Sequence, residues 1–197
     1  MAPYFVTGKA MKITIINGNP SNAGGGFDAF LERTAGVLRS PDWGGHLVRE
    51  IKLRELNIKP CVGCFGCWFK TPGLCVHKDD SAVTSKAVVN SDFVIHASPM
   101  IMGFTSALMR RAAEKVIADL LPYFHIIKGE VRHKWRYGSR APAMGVLLGK
   151  EDDSDEEDLD IVREVYRQLA LETQTELRFV LDSNSSVHQV ANAINAD

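Results

Sequence analysis

The chain has 197 residues, of which 45% are hydrophobic and 24% charged, a composition typical of a globular protein. Its formal net charge of −1 provides no basic surface for nucleic acid and no attraction to an anionic membrane. No apolar run is long enough to cross a bilayer and no secretory signal is visible, so we expect a cytoplasmic protein without nucleic-acid or membrane partners.

Apolar runs alternate with helical patterns along the chain. Strands are predicted over 11–18, 46–53, 92–98, 143–149 and 177–182, and helices near 27–38, 81–90, 108–120, 154–171 and 187–194. The alternation predicts an α/β fold with three layers, a doubly wound sheet of five parallel strands between helices. Residues 1–10 are interpreted as an N-terminal extension, 11–197 as one domain, and 123–141 as an irregular insertion. Ser154 and Glu157 fit a capping box.

The loop after the first strand is rich in small polar residues. Asn19, Ser21 and Asn22 stand between a strand and a helix, where hydroxyl, amide and backbone N–H donors make an anion site. The loop matches neither G-x-G-x-x-G nor a Walker A motif, which disfavours a dinucleotide fingerprint and an ATPase. Such a loop is often only a turn, so phosphate binding and a simple turn both stay open.

The loop after the third strand is unusually apolar. Pro99 fixes one φ angle, Gly103 permits an unusual one, and Thr105 or Ser106 can cap the next helix. Met100, Ile101 and Met102 are either core residues or a floor for a flat aromatic ligand. We expect the floor, because ligands of parallel α/β sheets bind beyond the carboxyl ends of the strands.

The order of three motifs resembles the flavodoxin-like NAD(P)H-dependent FMN reductase superfamily. They are INGNPSN after the first strand, ASPMIMGFTSALM after the third, and the cysteine loop ending in CVHKDD, within a resemblance that spans about residues 11–195. It implies a flavodoxin-like fold with FMN phosphate at 19–26, isoalloxazine along 99–105, and contacts from Phe27 and the Gly149 turn. One departure concerns the phosphate: the family commonly has G-S-P-R where this chain has Gly-Asn-Pro-Ser, so the arginine is missing.

All four cysteines lie within fifteen residues, as C-x2-C-x2-C-x7-C. Structural disulfides are disfavoured in a reducing compartment, and a dithiol pair needs only two thiols. Zinc usually takes ligand pairs separated by a longer spacer. An iron–sulfur cluster fits the spacing best, and the loop resembles that of the iron–sulfur flavoproteins, which implies a [4Fe–4S] cluster on Cys61, Cys64, Cys67 and Cys75. The remaining alternative is a metal-free lid over the flavin, with the cysteines as small buried hydrophobes.

The resemblance implies an FMN-dependent oxidoreductase that takes electrons from NAD(P)H. We expect a quinone-like molecule or a redox protein as acceptor, no protein residue as an essential acid or base, and a homo-oligomer. The first alternative is an electron-transfer module that docks to a redox partner without its own NAD(P)H activity. A cofactor-free interaction protein that retains only the fold is the other. We expect residues 123–141 to be a solvated connection rather than a subunit arm or a basic patch for the phosphates of NAD(P)H, and His96 to be a satisfied core histidine rather than a ligand.

Overall fold

Five parallel strands form the centre of the molecule, in a computed structural model that describes residues 9–21, 25–138, 141–150 and 154–196. Their order is β2-β1-β3-β7-β8, and every neighbouring pair is parallel. The strands are β1 (Lys12–Asn17), β2 (Leu47–Lys52), β3 (Phe93–Ile101), β7 (Ala143–Gly149) and β8 (Leu177–Asp182). This order is that of flavodoxin-like doubly wound folds, which confirms the predicted fold class.

Helices cover both faces of the sheet, which explains why the central strands β1, β3 and β7 are largely apolar and buried. Described helices are α1 (Gly26–Arg39), α2 (Gly66–Phe69), α3 (Ser81–Val89), α4 (Ala107–Glu114), α5 (Glu156–Thr173) and α6 (Val187–Asn195). On one face, α1 and α6 bury Ile13, Ile15 and Ile95. On the other, α3, α4 and α5 bury Val94, Val146 and their neighbours.

The chain changes direction across the sheet between β1 and β3. From β1 it passes to β2 on one side, and β3 returns on the other. Doubly wound folds bind ligands at the carboxyl edge of the sheet beside such a switch point. The fold positions the first loop, the third loop and the end of β7 at this edge.

A two-stranded antiparallel hairpin stands where the sequence predicts an irregular segment. Its strands are β5 (Leu120–Ile127) and β6 (Glu130–Trp135), joined by Lys128 and Gly129, both with positive φ. The prediction of irregular structure over 123–141 is wrong for these residues. Pro122 and the mixture of histidines with aromatics hide the alternating pattern, and the register shift between Leu121 and Phe124 breaks it further.

Two helix boundaries also differ from the expected ones. The helix predicted near 108–120 ends at Glu114 and continues as a 3-10 turn over Lys115–Asp119. The last long helix is capped by Asp155 with Asp158, not by Ser154 with Glu157, so the predicted capping box is one residue out of register.

Candidate functional site

The loops after β1, β3 and β7 meet in close contact at the carboxyl edge of the sheet. The Ser106 hydroxyl donates to the Gly18 carbonyl at 2.6 Å, which ties the first loop to the start of α4. A Cβ placed on Gly149 would lie 2.9 Å from the Phe27 ring and 3.2 Å from the Pro99 backbone. The predicted contributors Phe27, Pro99 and Gly149 are therefore neighbours, although they come from three separate parts of the chain.

The first loop is ordered by a network of buried amides. Asn17, fully buried at the end of β1, donates to Asp28 at 2.9 Å and to Glu50 at 2.8 Å, and accepts from the backbone N–H of Asn19. The Asn19 side chain accepts from the Ser21 N–H and donates to Asp28 at 3.0 Å. The Asn19 amide is therefore used inside the loop, so its part in binding a phosphate remains a prediction.

Arg54 is the cation of this network, and it comes from the turn after β2. Its guanidinium donates to the Asn19 carbonyl at 3.2 Å and to the Asp28 carboxylate at 2.8 Å. Burial alone would raise the pKa of Asp28, but hydrogen bonds from Asn17, Asn19 and Arg54 outweigh it and lower that pKa. Asp28 is therefore ionised at neutral pH and pairs with Arg54. The pair as a whole has no net charge, but it places the guanidinium of Arg54 against the first loop.

The N-terminus of α1 opens onto the same loop. Its N-cap is Gly25, which has no side chain to accept from the N–H groups of the first turn, and the described residues provide no side-chain cap there. Ser21 is exposed just before this turn. Asn22, the remaining predicted donor of the loop, lies outside the described residues. Uncapped N–H groups beside an arginine form a region suited to an anion.

The third loop is a tight hairpin turn rather than an open loop. β3 continues to Ile101 and pairs with the short strand β4 (Phe104–Thr105). Met102 and Gly103 form the two-residue connection, and both have positive φ, as the primed turns of hairpins require. A side chain on Gly103 would also collide with the Asp158 carboxylate, so this turn is specified by glycine and by the start of α5.

The predicted residues of the third loop divide into two groups. Met100 is fully buried in the core and Thr105 is buried as well, so both support the turn from behind. Ile101 and Met102 point outward, with Met102 92% exposed at the tip. An exposed methionine beside an exposed isoleucine is the kind of apolar surface on which a flat ring can lie.

These observations test whether the residues fit FMN. The residues fit both ends of FMN. The start of α1, whose N-cap Gly25 has no side chain, and Arg54 suit the phosphate, and the exposed Ile101–Met102 turn suits the ring. Because residue 149 is glycine, its backbone rather than a side chain faces Phe27 and Pro99.

The four cysteines form a second candidate site. All of them line one cavity together with Phe65, His77 and Lys115. Cys67 is buried, Cys64 is exposed, and the other two are half-buried. Burial raises the pKa of the Cys67 thiol, and the neighbouring cysteines add to that effect. The loop thus brings its thiols together as the spacing predicts.

A buried ion pair closes the inner side of this cavity. The Lys115 ammonium lies 2.9 Å from the Asp79 carboxylate and donates to the Cys75 sulfur at 3.3 Å. Burial alone would raise the pKa of Asp79, but hydrogen bonds from Ser81, Lys115 and the backbone lower it to about 2. On the outer side, the Cys64 sulfur lies 3.7 Å from His77 Nε2.

The geometry of a metal centre is not formed. Among the described residues, no group of three or more histidine, cysteine, aspartate or glutamate side chains converges on a point where a metal ion would sit. The chemistry of the donor set suits a cluster, because four thiols share one cavity, but their present arrangement does not fit one. No step of the chemistry below is assigned to this loop.

Comparisons with solved structures give the same fold. An NADH:FMN oxidoreductase in its apo form superposes with a TM-score of 0.56 at 16% identity, over 94% of this chain and 87% of that one. An FMN-dependent NADH-azoreductase from Bacillus anthracis in complex with FMN gives 0.53 at 14% identity, over 92% and 93%. An NADPH-quinone reductase from P. pentosaceus gives 0.55 at 11% identity, over 94% and 96%. These likenesses support the flavodoxin-like fold.

Neither a protein-family model nor a curated protein matches the sequence. No described helix is both long and apolar enough to span a membrane.

Sequence reasoning missed the two cations of these sites. Arg54 lies 26 positions from Asp28, and Lys115 lies 40 positions from Cys75, so neither belongs to the motif it supports. The available signal for Arg54 was indirect: the first loop contains no basic residue at 18–21, so a cation beside it must come from another part of the chain.

Proposed function

We propose that the chain is an FMN-dependent oxidoreductase that takes electrons from NAD(P)H and passes them to a quinone-like small molecule. The observation that carries the proposal is the meeting of Phe27, Pro99 and Gly149 at the switch point, between an uncapped helix start and an exposed apolar turn. The fold shared with flavin reductases supports the same function. The alternative electron acceptor is a redox protein.

Each part of the site has a separate task in this proposal. The first turn of α1, Ser21 and Arg54 hold the phosphate, while Asn19 keeps the loop in shape. The Ile101–Met102 turn and the backbone of Gly149 orient the ring and exclude water from one side. When bound, FMN supplies the hydride-accepting chemistry. The protein supplies position, and we assign no residue as an essential acid or base.

The test is flavin binding followed by turnover. Purified protein stripped of flavin is titrated with FMN, and NADH or NADPH oxidation is then followed with a soluble quinone. We expect stoichiometric FMN binding and quinone-dependent oxidation of one nicotinamide. Binding without NAD(P)H oxidation would favour an electron-transfer module instead. Failure to bind flavin at all would refute the proposal and leave an interaction protein that retains the fold.

We further propose that the cysteine loop holds a [4Fe–4S] cluster after a local rearrangement. This proposal is supported by the four thiols lining one cavity. A rearrangement is required because no metal geometry is formed among the described residues. Iron and acid-labile sulfide are measured on anaerobically purified protein. About four of each per chain is the expected composition of one such cluster. Protein that binds FMN but contains no iron would make the loop a lid.

A further inference from the structure

A cavity lies on the face of the sheet that α3, α4 and α5 cover. Its floor is formed by the central strands and includes His96, and its walls are formed by these helices, by Trp135 and by the 3-10 turn Lys115–Asp119. The cavity has a volume of about 50 Å³, and the residues that line it are buried or half-buried. The described residues of the candidate flavin site lie outside this lining, so the cavity is a separate feature of the molecule.

His96 is the polar residue of the floor. It stands in the middle of the sheet, with Ile16 of β1 and Val146 of β7 as its neighbours, and it is half-buried because part of its ring borders the cavity. Its Nδ1 atom is buried and has no hydrogen-bond partner among the described residues, so the prediction of a satisfied core histidine is wrong for this nitrogen. Because buried polar atoms are nearly always paired with protein or with ordered water, His96 indicates a ligand at the cavity.

Asp119 is the second polar group that the chemistry above leaves unused. It is buried at the end of the 3-10 turn, borders the cavity and accepts a hydrogen bond from the Ser85 hydroxyl at 2.5 Å. The guanidinium of Arg136 lies nearby but donates to the carbonyls of Ala118 and Leu120. Among the described residues, the Asp119 carboxyl therefore forms no ion pair, and the cavity is the open space beside it.

The size and the lining of the cavity determine what it can hold. One water requires about 10–15 Å³ of such space, whereas a cavity of about 150 Å³ is needed for benzene. At about 50 Å³, the cavity is too small for an aromatic ring and has room for about three waters. Cavities that stay dry are apolar. This cavity is bordered by a carboxyl group and an imidazole, which favours water as its occupant.

We propose that ordered water fills this cavity and joins the Asp119 carboxyl to the His96 imidazole, so that the two side chains form one internal proton site. With Asp119 protonated, its O–H donates to the water, and the water donates to an unprotonated ring nitrogen of His96. After Asp119 releases its proton to solvent, the water donates to the carboxylate and accepts from a ring N–H. His96 keeps one proton in both states and changes only the nitrogen that holds it. The site depends neither on flavin nor on a cluster.

The surroundings of the two groups keep both of them uncharged over a range of pH. Burial lowers the pKa of His96 to about 4. Burial raises the pKa of Asp119 to about 6, although the Ser85 hydrogen bond and the charge of Arg136 offset part of this effect. Above about pH 6, Asp119 ionises while His96 stays neutral. The titratable and charged groups that face Asp119 are His96 on β3, Lys115 on the same turn, and Arg136 and Tyr137 after β6; α3 and α5 contribute only hydroxyl and apolar groups to the lining.

The cavity lies between the two candidate sites. Pro99, at the proposed position of the flavin ring, is three residues further along β3, or about 10 Å at about 3.3 Å per residue. Lys115 lines both this cavity and the cavity of the four cysteines. A group that gains or loses one proton near this position can offset a change of charge at either site.

A crystal structure of the full chain, from a crystal pressurised with xenon, tests the occupant. We expect about three ordered waters in the cavity, hydrogen-bonded to an Asp119 oxygen and to a His96 nitrogen, and no xenon. The double variant His96→Leu/Asp119→Leu removes both polar groups, so its cavity should lose the water and bind xenon. The variant Asp119→Asn keeps a polar group and should keep the water.

Nitrogen NMR of the histidine rings tests the proton site, because protonated and unprotonated ring nitrogens give different signals. As pH rises, the two His96 nitrogens should exchange their signals with a midpoint at about pH 6, the pKa of Asp119. Asp119→Asn should abolish this step. The control is His188 on α6, across the sheet, whose titration should be the same in wild type and variant.

Either measurement can overturn the proposal. Xenon in the wild-type cavity, or a cavity without ordered water, would show that it is dry. Water in the cavity with His96 signals that do not change near pH 6, or that change equally in Asp119→Asn, would show that the two side chains do not share a proton site. If the double variant fails to fold, the wild-type crystal and the NMR titration decide on their own.

Discussion

Replacing Arg54 by methionine tests whether Arg54 supplies the positive charge that residues 18–21 of the first loop lack. The stretch 18–21 contains no basic residue, and the described cation that contacts it is Arg54, through the Asn19 carbonyl. Methionine keeps most of the length of the side chain and removes the charge and both hydrogen bonds. FMN and riboflavin share the same ring, so the comparison of the two ligands isolates the phosphate.

The expected magnitude is that of one unit charge near the phosphate. For a separation of about 6 Å and an effective dielectric constant of about 20, such a charge contributes about 3 kcal/mol. Because Asp28 partly neutralises Arg54, we expect a loss of about 2 kcal/mol, or about 30-fold in the dissociation constant for FMN. Riboflavin affinity should change less than about threefold.

Two controls separate this effect from simple unfolding of the loop. Arg54→Met leaves Asp28 without its cation, so the double variant Arg54→Met/Asp28→Asn removes both charges and should recover part of the lost FMN affinity. Arg54→Lys keeps the charge and should lose less than the methionine variant. Affinities are measured by quenching of flavin fluorescence. Equal losses for FMN and riboflavin would show that Arg54 only shapes the loop, and would refute its assignment to the phosphate.

Three further predictions concern buried charges and the third loop. Burial raises the pKa of Asp119 to about 6, so between about pH 4 and 6 the folded state holds a proton that the unfolded state has released. The free energy of unfolding therefore falls as pH rises from about 4 to 6. Asp119→Asn should stabilise the protein by about 2 kcal/mol at pH 7.5 but not at pH 4, measured by urea unfolding. Gly103→Ala should lower FMN affinity and melting temperature, whereas Gly129→Ala, which also has positive φ but open space around it, should cost only about 1 kcal/mol of strain and leave FMN binding unchanged. Lys115→Met leaves the fully buried carboxylate of Asp79 unpaired and should destabilise by about 3 kcal/mol, while adding Asp79→Asn should restore most of it.

The strands and the edge at which their loops meet were predictable because they depend on local patterns. The run Phe93–Ala97 is apolar except for His96, and only a strand covered on both faces buries such a run. Gly18 directly follows β1, whereas β3 continues two residues past Pro99 to Ile101, and the parallel order places both loops at one edge. The neighbourhood of Phe27, Pro99 and Gly149, which the resemblance implied, agrees with this topology.

The hairpin was not predictable in the same way. Its two-residue connection, Lys128 and Gly129, is a usable turn signal, but a non-glycine residue with positive φ is uncommon at its first position. The sequence before the hairpin also predicts a helix that continues to Leu120, because Leu108, Ala112 and Val116 precede Leu120 at a spacing of four. The helix ends instead where Lys115 turns toward Asp79 and Cys75, a contact between residues 36 and 40 positions apart.

Arg54 and Lys115 show a common way of building a loop site without a net positive charge. Each is a buried cation from outside the motif, paired with one acid and reaching one group of the loop: Arg54 with Asp28 and the Asn19 carbonyl, Lys115 with Asp79 and the Cys75 sulfur. Because each pair is neutral as a whole, an anion bound at either loop would be held by oriented dipoles at short range and not by a long-range field. Salt screens fields between exposed charges far more than such buried contacts, so FMN affinity should change little between 0.1 M and 0.5 M salt. A steep salt dependence would mean that exposed lysines, rather than Arg54, hold the phosphate.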